Sequence, residues 1–230
     1  MRMFNADGSE GVMCGNGVRC AAEFLYTHGV RRDCIRIDTP SAGQRVLHRV
    51  GDGLWQVEMD RFTAAPDAVG AVGLGGGPLL DVPLCAGRRA WRVHCVAVGN
   101  PHCVLFTHEP PPAGAELAAW GRALGRHPAF PDGINVEFAQ PISPTGLAVT
   151  VWERGSGATL ACGTGACAVA AAAVLTGRCP RGAPILVQLP GGTLEVCVQR
   201  DDTVLLTGDA ATTFSGTVLI QPCKAPRSVV

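Results

Sequence analysis

Apolar residues at Val18, Ala21, Ala22 and Leu25 share one face of a 3.6-residue repeat, and the pattern stops at Gly29, a residue suited to closing a helix C-terminus. A second segment, Ala166 to Thr176, is apolar nearly all round and stops at Gly177. Both open on one short motif, Cys14-Gly15-Asn16-Gly17 and Cys162-Gly163-Thr164-Gly165, and the closing glycine stands equally far from the cysteine in each. The spacing predicts two helices of matched length, each tipped by a cysteine.

After each helix the period shifts toward two. Ile35-Arg36-Ile37 and Ile185-Leu186-Val187 read as strands. Arg45 to Val50 and Thr193 to Val198 then alternate toward turns at Gly51-Asp52-Gly53 and Asp201-Asp202, and Leu54 to Met59 and Val204 to Thr207 complete a hairpin in each copy. Agreement in cysteine, glycines, helix length and hairpin marks a duplicated unit.

Between the copies, further strands are predicted at Trp91 to Val98, Cys103 to Phe106, Asn135 to Phe138 and Leu147 to Trp152, with a short helix over Glu116 to Leu124. Thr63 to Gly87, rich in Gly, Ala and Pro, reads as a flexible connection; Gly73 to Pro78 fails as a dinucleotide fingerprint because Pro78 stands at the last glycine position. The prolines at 110 to 112 mark a surface turn, and Gln221 to Val230 reads as a frayed tail.

The expected fold is α+β, with two pseudo-symmetric domains, each an antiparallel sheet or barrel wrapped around a central helix. The first would comprise residues 1–60 with 215–230 and the second 61–214. Few residues precede Cys14 compared with the long strand-rich stretch before Cys162, so the first domain is expected to be N-terminally incomplete.

Composition narrows the function. The 230 residues are 47% hydrophobic and 17% charged, which excludes intrinsic disorder. Lys plus Arg equals Asp plus Glu at 19 each, leaving no basic excess for nucleic acid. The longest apolar run, Ala166 to Leu175, is too short to cross a bilayer, and Met1 to Glu10 lacks a signal-peptide pattern, so the expectation is a cytoplasmic protein without a membrane span. An odd count of 11 cysteines with no C-x-x-C pair disfavours a disulfide framework. His94, Cys95, His102 and Cys103 form a loose cluster that fits no common zinc spacing, so no metal is expected.

A thiol at a helix N-terminus sits among unpaired N–H groups at the positive end of the macrodipole, which lowers a cysteine pKa from about 8.5 into roughly the 3.5–7.5 range. Cys14 and Cys162 are thus candidate bases. The following glycines let a ligand approach the backbone, and the N–H groups of Gly15, Asn16, Gly163 and Thr164 suit a carboxylate. Two such helices meeting head to head would hold one carboxylate between two thiols. That arrangement calls for removal of a proton from one face of a carbon and delivery on the other, hence racemisation or epimerisation beside a carboxylate, with no cofactor lysine motif evident. Read singly, His102 also fits a hydrogen-bonded core histidine, Glu153-Arg154 a surface ion pair, and Asn5 and Asn135 turn residues.

Five ordered motifs resemble the diaminopimelate epimerases: Phe4-Asn5-Ala6-Asp7-Gly8-Ser9-Glu10, Met13 to Cys20, Gly99-Asn100-Pro101-His102-Cys103, Asn135-Val136-Glu137-Phe138, and Glu153-Arg154-Gly155 through Cys162 to Cys167. The resemblance covers nearly the whole chain and is weakest at Thr63 to Arg89 and after Ile220. It implies a cofactor-independent homodimer that interconverts LL- and meso-2,6-diaminopimelate on the bacterial route to lysine and peptidoglycan. By position, Cys14 and Cys162 would be the acid/base pair, with His102 and Glu153 as their proton partners. Asn5, Asn100, Asn135, Glu153 and Arg154 would hold the substrate, Arg154 through a planar fork suited to a carboxylate, while Gly15, Asn16, Gly163 and Thr164 receive the reacting carboxylate.

The chain departs from the family pattern in two places. A Gly-Asn-Asp-Phe element and a later Asp-Gln element, expected near the N-terminus, do not occur, and Ala158 stands where glutamate is usual. The reading is therefore an epimerase without its N-terminal segment, either as a shortened gene model or as a true fragment. Two alternatives stay open: an amino acid racemase of the proline racemase type, and a non-catalytic remnant.

Overall fold

The computed structural model describes residues 1–4, 8, 10, 14–40 and 42–219. The expected frayed tail lies outside them. The first unit is helix α1 (Gly15–Thr27) followed by strands β1 (Cys34–Thr39), β2 (Gly43–Gly51) and β3 (Leu54–Arg61). The second is helix α4 (Gly163–Leu175) followed by β10 (Pro184–Leu189), β11 (Gly192–Val198) and β12 (Thr203–Asp209). Both helices are 13 residues long, and Gly29 and Gly177 adopt the left-handed conformation just past their ends.

The duplication is visible in the sheet order, β1-β2-β3-β12-β11-β10. The antiparallel pair β3–β12, with Val57 opposite Leu206, lies at the centre, and the two hairpins extend symmetrically from it. Beyond this the halves differ. β10 continues in parallel onto β8 (Gly146–Glu153), and the sheet runs through β7 (Asn135–Ser143), β6 (Pro101–Phe106) and β5 (Arg89–Ala97) to β4 (Val82–Ala86), whereas β1 is an edge among the described residues.

The contrast in helix patterning follows. α4 packs against β5, β6, β7, β10, β11 and β12, and Gly165 to Ala173 are all buried, as a helix apolar on every side requires. α1 packs on β1, β3 and β12 through Val18, Arg19 and Ala22, and its other face carries an exposed Phe24. A second apolar cluster, including Trp91, Leu117, Leu124, Ile134 and Phe138, forms between β4 to β7 and α3 (Gly114–Gly125). α3 extends the predicted 116–124 helix at both ends. It lies close on β8, since a Cβ at Gly121 would come 2.4 Å from the Trp152 ring.

The stretch 63–87 is more ordered than its composition predicts. It contains the short helix α2 (Pro66–Val69) and the strand β4. β4 occupies a sheet edge, where Pro83 removes no necessary hydrogen bond, and it buries only Leu84 and Ala86, too weak an alternation to stand out. The three-residue β9 (Gly157–Thr159) beside β8 carries no sequence signal of its own. Cys95 and Cys103 face each other across β5 and β6, and the His94 ring accepts the Asp81 N–H at 3.1 Å. Among the described residues no cluster is arranged to hold a metal, and no helix is long and apolar enough to cross a membrane.

Candidate active site

Cys14 and Cys162 are the N-caps of α1 and α4, and both have extended backbone. Cys14 Sγ accepts the Gly17 N–H at 3.3 Å, and Cys162 Sγ accepts the Gly165 N–H at 3.4 Å. Each sulfur thus satisfies one of the donors that a helix start leaves open, while the N–H groups of Gly15, Asn16, Gly163 and Thr164 have no acceptor within their helices.

The two tips meet. A Cβ placed on Gly15 would lie 3.6 Å from Gly163 Cα, and one on Gly163 would lie 3.5 Å from Gly15 Cα. Both positions are 3.1 Å from the same atom, Cδ2 of the fully buried Leu206 on β12. Glycine is required here for closeness of approach, and Leu206 sets the floor on which both helices rest. Arg19, one turn along α1, is buried and ties the tip together, donating to Gly15 O at 3.2 Å and Asn16 Oδ1 at 3.0 Å.

The remaining described candidates gather at one end of three neighbouring strands. β6 and β7 run parallel and begin with Asn100-Pro101-His102 and Asn135, and β8, antiparallel to β7, ends there with Glu153 and Arg154. Gly99, in the left-handed region, allows the turn before Asn100, and Asp60 Oδ2 lies 2.8 Å from where its Cβ would be. Asp60 is in turn gripped by both guanidinium nitrogens of Arg45 at 2.7 and 2.8 Å, so β2 and β3 of the first unit brace this turn.

His102 is buried, with Nε2 2.9 Å from Asn100 Oδ1 and Nδ1 2.7 Å from Glu137 Oε1. Asn135 Oδ1 accepts the Arg154 N–H at 2.8 Å, and the Arg154 guanidinium reaches the carbonyls of Asp132 and Gly133. Glu153 Oε1 accepts the Thr159 hydroxyl at 2.5 Å. Asn5 lies outside the described residues. Glu153 and Arg154 thus face different partners and do not form the surface ion pair that their adjacency allowed.

Proton affinity at the second thiol departs from expectation. Burial pushes Cys162 up to about 12, reinforced by the negative charges of Glu153 and Glu137 and opposed by the Thr164 hydroxyl and Gly165 N–H contacts. Enclosure of α4 on all sides outweighs the dipole at its tip, so Cys162 holds its proton at neutral pH. Two residues outside the sequence candidates, Glu137 and Leu206, also border the site. For Glu137 a signal was present, a carboxylate inside the apolar run Val136-Glu137-Phe138; Leu206 looks like any core leucine.

Two cysteine-capped helices meeting on one extended sheet define an α+β fold that is shared with solved structures. A solved probable proline racemase from Agrobacterium radiobacter K84 matches at TM-score 0.69 and 16% identity, covering 96% of this chain and 72% of that one. A hydroxyproline epimerase from Agrobacterium vitis matches at TM-score 0.65 and 17% identity, covering 90% and 66%. Sequence relationships are more specific. The diaminopimelate epimerase family model matches residues 1–64 and 94–213. Diaminopimelate epimerase of Synechococcus elongatus is 44% identical over 220 residues, 95% of this chain and 77% of its own length, and that of Synechococcus sp. strain JA-2-3B'a(2-13) is 47% identical over 223 residues. The chain belongs to the diaminopimelate epimerase family, isomerases that act on a small molecule without pyridoxal phosphate.

Proposed function

We propose that this chain interconverts LL- and meso-2,6-diaminopimelate, one cysteine removing the Cα proton while the other returns a proton to the opposite face. The meeting of two cysteine-capped helix starts, Gly15 against Gly163, carries this reading. The N–H groups of Gly15, Asn16, Gly163 and Thr164 receive the reacting carboxylate and stabilise the negative charge that grows on it as the Cα–H bond breaks. Cys162, enclosed and protonated, is the donor in one direction, and Cys14 is the acceptor. A bond from sulfur to hydrogen forms on Cys14 as one breaks on Cys162, so the two exchange protonation states each turnover.

In this reading His102 and Glu153 serve the thiols as proton partners. Asn100, Asn135 and Arg154, with Asn5, hold the distal amino acid end of the substrate. The gathering of the described members at one end of β6, β7 and β8 supports this. The family reading also carries a cytoplasmic homodimer.

The test is an assay of LL-diaminopimelate, proline and hydroxyproline in deuterium oxide. LL-diaminopimelate is expected to turn over, with solvent deuterium at Cα of newly formed meso product, because different groups take and give the proton. Turnover confined to proline or hydroxyproline would move the chain to the racemase alternative. Product that keeps the substrate's own hydrogen would require a single base and rule out the two-thiol mechanism.

A further inference from the structure

Glu137 on β7 is fully buried and has one oxygen, Oε2, with no partner among the described residues. Its other oxygen contacts His102 Nδ1 at 2.7 Å and lies 2.8 Å from the position that a Cβ on Gly165 would occupy. Gly165 is the residue whose N–H caps Cys162 Sγ. The missing side chain at 165 therefore lets a carboxylate reach the first turn of α4, the same helix start that a Cys162 thiolate would use.

Resting on the two-thiol reading above, we propose that Glu137 is a positioning residue: it fixes the His102 ring and, by occupying the positive end of α4, keeps Cys162 the proton-bearing partner. One helix start cannot stabilise two adjacent anions equally, and the carboxylate is anchored there by an imidazole whereas the sulfur is not. Asn100 Oδ1 and Glu137 Oε1 lie 2.9 and 2.7 Å from the two ring nitrogens of His102, so both sides of the ring are held. Burial raises the Glu137 carboxyl above the ordinary carboxylate range, with the Glu153 charge adding to the shift and the His102 contact opposing it.

The other titratable groups that act on the second thiol are Glu153 on β8 and Cys167 within α4, and Arg19 on α1 faces Cys167 in turn. Glu153 is shared with the proposed mechanism. Glu137 differs in being sealed from water and in having no substrate-holding role, which suits it to setting the resting state of the site. Pseudo-symmetry is thereby broken: the α1 tip carries the buried cation Arg19, and the α4 tip carries the buried carboxylate.

The experiment is alkylation of the free protein by iodoacetamide across pH, with Cys162 followed by mass spectrometry of the tryptic peptide 155–178, in wild type, Glu137→Gln and Glu137→Asp. Glu137→Gln is expected to lower the pH of half-maximal Cys162 alkylation by about one unit or more, a tenfold change in proton affinity, and Glu137→Asp to restore it. An unchanged half-point in folded Glu137→Gln overturns the proposal. Should that variant not fold, carbon-13 spectra of wild type labelled at the glutamate carboxyls decide: all are expected to be ionised at pH 8, and one still protonated overturns it. Neither measurement uses diaminopimelate, so failure here is separable from failure of the wild-type epimerase assay.

Discussion

Cys14→Ser and Cys162→Ser are each expected to lower epimerisation of diaminopimelate by about 10²–10⁴-fold, the range for removal of one positioned proton-transfer group. Serine is a sound test because it is also a good N-cap. Its hydroxyl can accept the Gly17 or Gly165 N–H in place of the sulfur, so the helix start stays closed and the loss falls on chemistry. Thermal midpoints close to wild type are the control. The two variants are also expected to differ in kind. With one thiol left, a proton can still be taken from and returned to a single face, so each variant washes solvent deuterium slowly into one stereoisomer without inverting it, and the two select opposite isomers. Near-normal turnover in either variant, or exchange into both isomers by one, would remove that cysteine from the acid/base pair.

What could be read in the sequence follows from how local each feature is. The cysteine caps, the closing glycines and the hairpins of both units rest on short-range patterns, and each stands where its pattern puts it. β4 escaped because Pro83 and an edge position leave only two buried side chains, and β9 because three residues carry no period. Chemistry alone says only that two cysteine-capped helices, if they meet head to head, share one carboxylate; the approach of Gly15 to Gly163 depends on β3 pairing with β12, residues far apart in the chain. The proton affinity of Cys162 departs from the helix-start expectation for the same reason. A helix start is visible in sequence, but the six strands that shut α4 away from water are brought together only by the complete sheet.

Leu206→Ala joins stability and catalysis in one substitution. Leu206 is fully buried on β12 between Val57 on β3 and Val196 on β11, and its Cδ2 lies beneath both Gly15 and Gly163. Removing the side chain leaves a cavity under the two helix starts and is expected to cost about 2–5 kcal/mol in urea unfolding, a large share of a typical domain's 5–15 kcal/mol. Activity should fall beyond what the unfolded fraction explains. The two tips would lose their common support, and a misplacement of about 1 Å can cost about 10²-fold in rate. Leu206→Met, which nearly conserves volume, should cost under about 1.5 kcal/mol and keep most activity. Leu186→Ala, at a residue 45% exposed on β10, should stay within about 0.5 kcal/mol of wild type. A stable, fully active Leu206→Ala would mean that the helix starts hold their spacing without β12, and that the shared sheet is scaffold alone.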